Sequence, residues 1–210
     1  MQQKRCLIII PIIHTLADWG SLGSRKVFDE EIEARKTQYW QAISEYVRNL
    51  PVDFSELRVY QDGLRDTSAE EVARSVDKIQ TINYELLRWL RNKGAHIMGT
   101  ESLPLLWQEQ RVLQSFLNAP EEEQKHTALL EYRKVSARIT KKRDAYIAQR
   151  IKATLPEGGR GIFFIGLAHE VKRLLEQEIE VTEPETLIGS SSEALRERVR
   201  ERSVRNERER

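Results

Sequence analysis

The sequence predicts an α/β domain: a mostly parallel sheet flanked by helices. Three observations predict it. Short apolar runs at 7–10, 57–61, 95–99 and 161–166 alternate with segments of helical periodicity. The first and last of these runs are continuously apolar, as strands buried on both faces are. A length of 210 residues suits one domain with one sizeable core.

The elements follow in order. The run 7–10 reads as a strand ending near Pro11, with His14 just beyond it. Residues 16–24 include Gly20, Ser21, Gly23 and Ser24 and read as a loop, with Trp19 either a pocket wall or ordinary packing. A helix over 29–50 places Ile32, Tyr39, Ile43, Tyr46, Val47 and Leu50 on one face, and Pro51 stops it. A second strand, 57–61, ends in an Asp62-Gly63 turn. Ser68-Ala69-Glu70-Glu71 matches a capping box. The helix it opens carries Val72, Val76, Ile79, Leu86 and Leu90, and Gly94 closes it. A third strand spans 95–99, and Glu101 follows it. Ser102 and Pro104 then start a helix with Leu105, Leu106, Val112, Leu113 and Phe116. Pro120 opens a long helix to about residue 155, with the acidic run 121–123 at its positive end. Pro156, Gly158, Gly159 and Gly161 turn the chain into the clearest buried strand, 161–166. His169 and Glu170 come next, then a helix with Val171, Leu174 and Leu175 and a last strand at 179–181. Trp40, Trp89 and Trp107 lie in helices and read as core.

Composition sets bounds on function. Charged residues make up 32% of the chain and hydrophobic ones 40%, which points to long amphipathic helices with solvated faces. The net charge of +1 supplies no global field to draw in nucleic acid. Cys6 is the single cysteine, so no intrachain disulfide forms; it reads as a strand or core residue in a reducing, cytoplasmic setting. The apolar run 6–13 is broken by Pro11 and lacks a small-residue cleavage site, so it reads as a strand rather than a signal peptide or a span. The domain is expected over 1–188. Residues 189–210 form an Arg/Glu-rich tail, a disordered segment or a solvated helix with little to bury. Glutamates interleaved with its arginines argue against a nucleic-acid contact.

In open parallel sheets, ligands bind beyond the carboxyl ends of the strands. His14, Asp62, Glu101 and His169 all fall there. Two imidazoles and two carboxylates on one rim suit a divalent metal ion or shared acid/base work; His14, Glu101 and His169 are the metal candidates and Asp62 a further binding residue. Arg143 lies four residues from both Ile139 and Ile147, on the apolar stripe that runs through Val135 and Ile151. A guanidinium there must meet a carboxylate or an anionic ligand. Asp144 lies on the flank of that stripe. Backbone N–H groups at the helix starting near Glu170 are candidate oxyanion donors, while Glu170 itself suits the helix dipole. His96 and His126 carry no functional signal, and phosphate-binding glycine motifs and a Gly-x-Ser-x-Gly elbow are absent.

Gly166-Leu167-Ala168-His169, after a buried strand and before a helix, resembles the C-terminal Gly-x-x-His motif of the TraB/Tiki superfamily, which includes erythromycin-esterase-like and ChaN-like proteins. Arg143-Asp144-Ala145-Tyr146-Ile147-Ala148 resembles that group's Arg-Asn/Asp-x-x-Met-Ala helix motif, and residues 7–14 resemble its first strand and first His motif. The resemblance implies an α/β fold with His14, His169, Arg143 and a carboxylate around one cavity, and Asp144 joins the catalytic candidates through its motif. It also implies hydrolysis of a peptide, ester or lactone bond, metal-dependent in the Tiki branch. Three positions depart: Pro11 stands for the usual Gly, Ile147 for the Met, and Gln61-Asp62 for the second-strand Glu, for which Glu101 is a substitute. Two readings follow. One is a hydrolase acting on a small-molecule or peptide ligand; the other is a non-catalytic binding or regulatory protein using the same cavity.

Overall fold

The computed structural model describes residues 4–13, 30–118 and 122–188. The loop expected at 16–24, with Trp19, as well as His14 and the tail 189–210, lie outside the described residues. Five strands, β1 (Arg5–Ile12), β2 (Leu57–Arg65), β3 (His96–Glu101), β4 (Arg160–Gly166) and β5 (Ile179–Thr182), form one all-parallel sheet in the order β3-β2-β4-β1-β5. The helices are α1 (Glu30–Arg48), α2 (Ala69–Lys78), α3 (Ile82–Asn92), α4 (Leu103–Leu117), α5 (Glu122–Thr154), α6 (Lys172–Leu175) and α7 (Glu185–Ile188). β4 is the central strand and is flanked by β1 and β2, which explains why 161–166 is buried along its whole length.

Alternation along the strands sends side chains into two cores. Ile10, Ile12, Leu57, Val59, Ile162 and Phe164 face α1, α2 and α3, where they meet Trp40, Ile43, Val76 and Leu87. Leu7, Ile9, Tyr60, Phe163 and Ile165 face the other way, onto Ile147, Ile151 and Leu155 of α5 and Leu175 of α6. No helix among the described residues is long and apolar enough to cross a membrane.

Several expectations need correction. β1 runs through Pro11 to Ile12; β5 accompanies β1 only from Arg5 to Ile8, so Pro11 lies where β1 has one sheet neighbour. Asp62-Gly63 does not end β2. Gln61 pairs with Gly99 and Arg65 with Glu101, so β2 uses four steps where β3 uses two. Gly63 takes φ +80° within that bulge. The single helix expected after Ser68 is two. Ser68 caps α2 by accepting from Glu71 N, but Ile79 is extended and α3 begins at Ile82. The Arg88 guanidinium donates to the carbonyls of Val76 and Ile79, each at 2.7 Å, and satisfies the C-terminus that the break exposes. Trp107 is not core: it is 55% exposed, whereas Trp40 is 1% exposed.

α5 has 33 residues, about 50 Å at 1.5 Å per residue. Only its final third packs on the sheet. The preceding part pairs with α4 through buried Leu113 and Ile139 and through the stacked rings of Phe116 and Tyr132, 5.6 Å apart. The α4/α5 pair is thus a two-helix arm whose base reaches the carboxyl edge of the sheet at Arg143.

Candidate active site at the carboxyl edge of the sheet

Three strands deliver the site. β2 brings Asp62, β3 ends in Glu101, and β4 ends at Gly166, three residues before His169. α5 supplies Arg143 and Asp144 from consecutive positions. All five groups are buried: Asp62 is 4% exposed, Glu101 0%, Arg143 7% and Asp144 5%, and the His169 side chain is 5% exposed.

Arg143 organises the carboxylates. Nε donates to Glu101 Oε2 at 3.0 Å and Nη2 to Glu101 Oε1 at 2.6 Å, a bidentate pair. Nη2 also donates to Asp62 Oδ1 at 2.8 Å, and Nη1 to Glu109 Oε2 at 2.5 Å. The guanidinium is therefore committed to protein carboxylates. Of its two sequence-derived roles, holding a carboxylate is the one this geometry performs, and an anionic ligand finds no free edge on it. Burial alone lowers an arginine's affinity for its proton, but the bonds and charges of Glu101, Asp62 and Glu109 outweigh it and hold Arg143 above its ordinary range. Burial pushes the Glu101 carboxyl above the ordinary carboxylate range against the opposing pull of Arg143.

Asp144 organises the imidazole. His169 Nδ1 lies 2.5 Å from Asp144 Oδ1, and Asp144 Oδ2 accepts the Glu170 backbone N–H at 3.0 Å. An ionised carboxylate only accepts, so the Nδ1 proton is on the Asp144 side and Nε2 faces inward. Burial works against a charged His169, but the Asp144 hydrogen bond and the Asp62 charge outweigh it and raise its pKa. Nε2 stands 3.5 Å from Asp62 Oδ2, which accepts the Gly166 N–H at 2.9 Å.

That 3.5 Å spacing is long for a hydrogen bond, and it is near the ~3.3 Å between two ligand atoms held at about 2.0–2.1 Å around a tetrahedral metal ion. Asp62, Glu101 and His169 each offer a ligand atom, all within 4.8 Å of one another. Asp144 on the far nitrogen completes the carboxylate–histidine arrangement that orients metal-bound imidazoles. The donor set therefore fits a divalent cation.

Two sequence expectations are refined here. Asp144, on the flank of the apolar stripe, is itself buried and bound to His169. Glu170 turns its side chain outward, 74% exposed, and reaches the site only through its backbone N–H, which Asp144 takes; the helix beyond, α6, has only four residues. Glu109 was missed, although it sits on the apolar stripe of α4 between Leu105 and Val112, as Arg143 does on α5. Also missed is an adjoining cluster, in which Tyr146 Oη donates to Asp66 Oδ2 at 2.7 Å and Arg150 pairs with Asp66 Oδ1 at 2.7 Å. A small cavity of about 70 Å³ next to His169 is bounded by Pro11, Gly166, Val171 and Glu183, room for a few water molecules.

No family model matches the chain, and neither a curated protein nor a solved structure matches it.

Proposed function

We propose that this chain is a cytoplasmic hydrolase of the TraB/Tiki type that cleaves a peptide, ester or lactone bond at a divalent metal centre. The observation that carries the reading is the chain of contacts from Asp144 through His169 to Asp62 and Glu101, at the edge where open parallel sheets bind ligands. Asp62, Glu101 and His169 would hold the cation. When bound, such an ion polarises a carbonyl oxygen and lowers the pKa of a water molecule toward neutrality.

The protein's own groups do the rest. Asp144 keeps the proton on Nδ1 and the Nε2 lone pair turned inward. Arg143 holds Asp62 and Glu101 in place against their mutual repulsion, so it is a positioning residue. Glu101, held bidentately by Arg143, would present its carboxylate to the cation in a fixed orientation.

The test is metal analysis of the purified chain, joined to a hydrolysis screen over peptide, ester and lactone substrates with and without chelator. Stoichiometric metal and chelator-sensitive turnover are expected, both lost in His169→Ala with the circular-dichroism spectrum unchanged. Turnover that survives both chelator and His169→Ala, or a folded protein that retains no metal and cleaves nothing, refutes the proposal.

A further inference from the structure

The arm holds a second feature, independent of the hydrolase reading. Between α4 and α5 runs a groove of about 320 Å³, lined by Arg111 and Val112 from α4 and by Val135, Arg138, Ile139 and Lys142 from α5. Its floor is apolar: Ile139 is buried, and Val112 and Val135 are half-buried. Its rim is cationic. Arg111, Arg138 and Lys142 are exposed and make no ion pair or hydrogen bond among the described residues. In contrast, Arg88, Arg91, Arg143 and Arg150 all bind carboxylates or carbonyls.

Two of the three large apolar side chains exposed among the described residues belong to this arm: Trp107, at 55%, and Leu130, at 52%. Trp107 lies one turn before Arg111 on α4, and Leu130 lies on α5 toward the far end of the arm. Among the described residues, no third layer covers this apolar seam and its unpaired cations.

We propose that this groove docks an acidic amphipathic helix of a partner protein. A seam between two packed helices accepts a third helix by the usual ridge-and-groove fit, with apolar anchors at i, i+3, i+4 and i+7 reaching Val112, Val135 and Ile139. Carboxylates on both flanks of such a helix meet Arg111 on one side and Arg138 and Lys142 on the other. Other occupants fit less well. The tail 189–210 carries more arginines than glutamates and repeats the charge of the rim. A second copy in an isologous contact would place this patch on itself, setting Lys134, Arg138, Lys141 and Lys142 against the same cations. A nucleic-acid backbone would leave the apolar floor and Trp107 unburied.

The experiment titrates the full chain into a fluorescein-labelled synthetic helix with leucines at i, i+3, i+4 and i+7 and glutamates on the flanks, followed by anisotropy. Saturable binding is expected, with a blue shift of Trp emission that Trp107→Phe removes. Arg111→Glu with Arg138→Glu should weaken binding by at least about tenfold, and the milder Arg138→Gln with Lys142→Gln pair should show the same direction if the first variant fails to fold. Equal binding of a scrambled peptide of the same composition, tighter binding of a single-stranded DNA oligonucleotide, or wild-type affinity in a folded variant overturns the proposal. So does a dimer in sedimentation equilibrium that the charge reversal dissolves, which would make the occupant a second copy.

Discussion

Arg143→Ala tests the physical core of the site. The guanidinium makes four hydrogen bonds to three carboxylates, two of which, on Glu101 and Asp62, are 0% and 3% exposed. Removing one partner of a buried ion pair costs about 3–5 kcal/mol, because the other charge is left stranded. Two stranded carboxylates place this variant in the upper half of that range, about 4–5 kcal/mol near pH 8. The penalty has a ceiling, because Glu101 can take up a proton, and its carboxyl already lies above its ordinary range through burial. Without Arg143 it rises further. A carboxyl with a raised folded-state pKa contributes stability that is present below the ordinary carboxylate value and is lost as pH rises through the folded value. The cost of Arg143→Ala therefore grows from pH 5 to pH 8, by about 1.4 kcal/mol per unit of additional shift. Urea unfolding followed by circular dichroism at both pH values measures it, with m-values compared to check that the transition is the same. Replacing the set together, Arg143→Met with Glu101→Gln and Asp62→Asn, should recover much of the loss, since no buried charge is stranded. A cost under about 1 kcal/mol at pH 8, or one that is flat with pH, would refute the reasoning.

Two further outcomes are expected. Asp144→Asn removes the largest influence that raises the His169 pKa. The midpoint of the imidazole titration, followed by NMR on chelator-treated protein, should fall. A raised histidine pKa gives stability present below about 6.5 and lost as pH rises through the folded value, so the variant's deficit should be largest at acid pH and shrink above it. Gly99→Ala places a Cβ 1.8 Å from Arg65 O and 2.9 Å from Asp66 Cα, both backbone atoms that cannot swing aside. A loss of about 3 kcal/mol or more is expected, the top of the range for overpacking, seen as a fall in Tm of about 6–12 °C; a loss below about 1 kcal/mol would show that β2 and β3 separate there without cost.

Much of this was legible because burial leaves a one-dimensional trace. The continuous run 161–166 announces the central strand β4, since a strand with sheet neighbours on both sides and helices on both faces has no position for a polar side chain. Arg143 was legible for the complementary reason: a charge in phase with Ile139 and Ile147 has to find a counter-charge. Glu109 obeys the same rule on α4, in phase with Leu105 and Val112, and meets the same guanidinium. The break between α2 and α3 was hidden because Val76 and Leu86 keep apolar phase across it; what marks it is tertiary, the Arg88 bonds to the carbonyls of Val76 and Ile79. Asp62-Gly63 has turn chemistry, and only the pairing of Arg65 with Glu101 shows that the strand continues past it.

That bulge is what assembles the site. Had β2 kept step with β3, Asp62 would face Thr100 and Gly63 would face Glu101. The two extra residues let β2 pass Glu101 while Asp62 stays inside the sheet, able to accept Gly166 N–H from β4 with one oxygen and Arg143 with the other. Asp62 thereby ties together three elements that the chain separates widely. The result is a local imbalance: Asp62, Glu101 and Glu109 surround the Arg143 guanidinium, and Asp144 lies against His169. A charged His169 reduces the excess; the Asp144 hydrogen bond and the Asp62 charge draw a proton to His169, whereas burial is what raises Glu101. A divalent cation among Asp62, Glu101 and His169 would draw on the same excess, so metal and protons compete for one site, and metal binding should release protons as it does wherever ligands must be deprotonated.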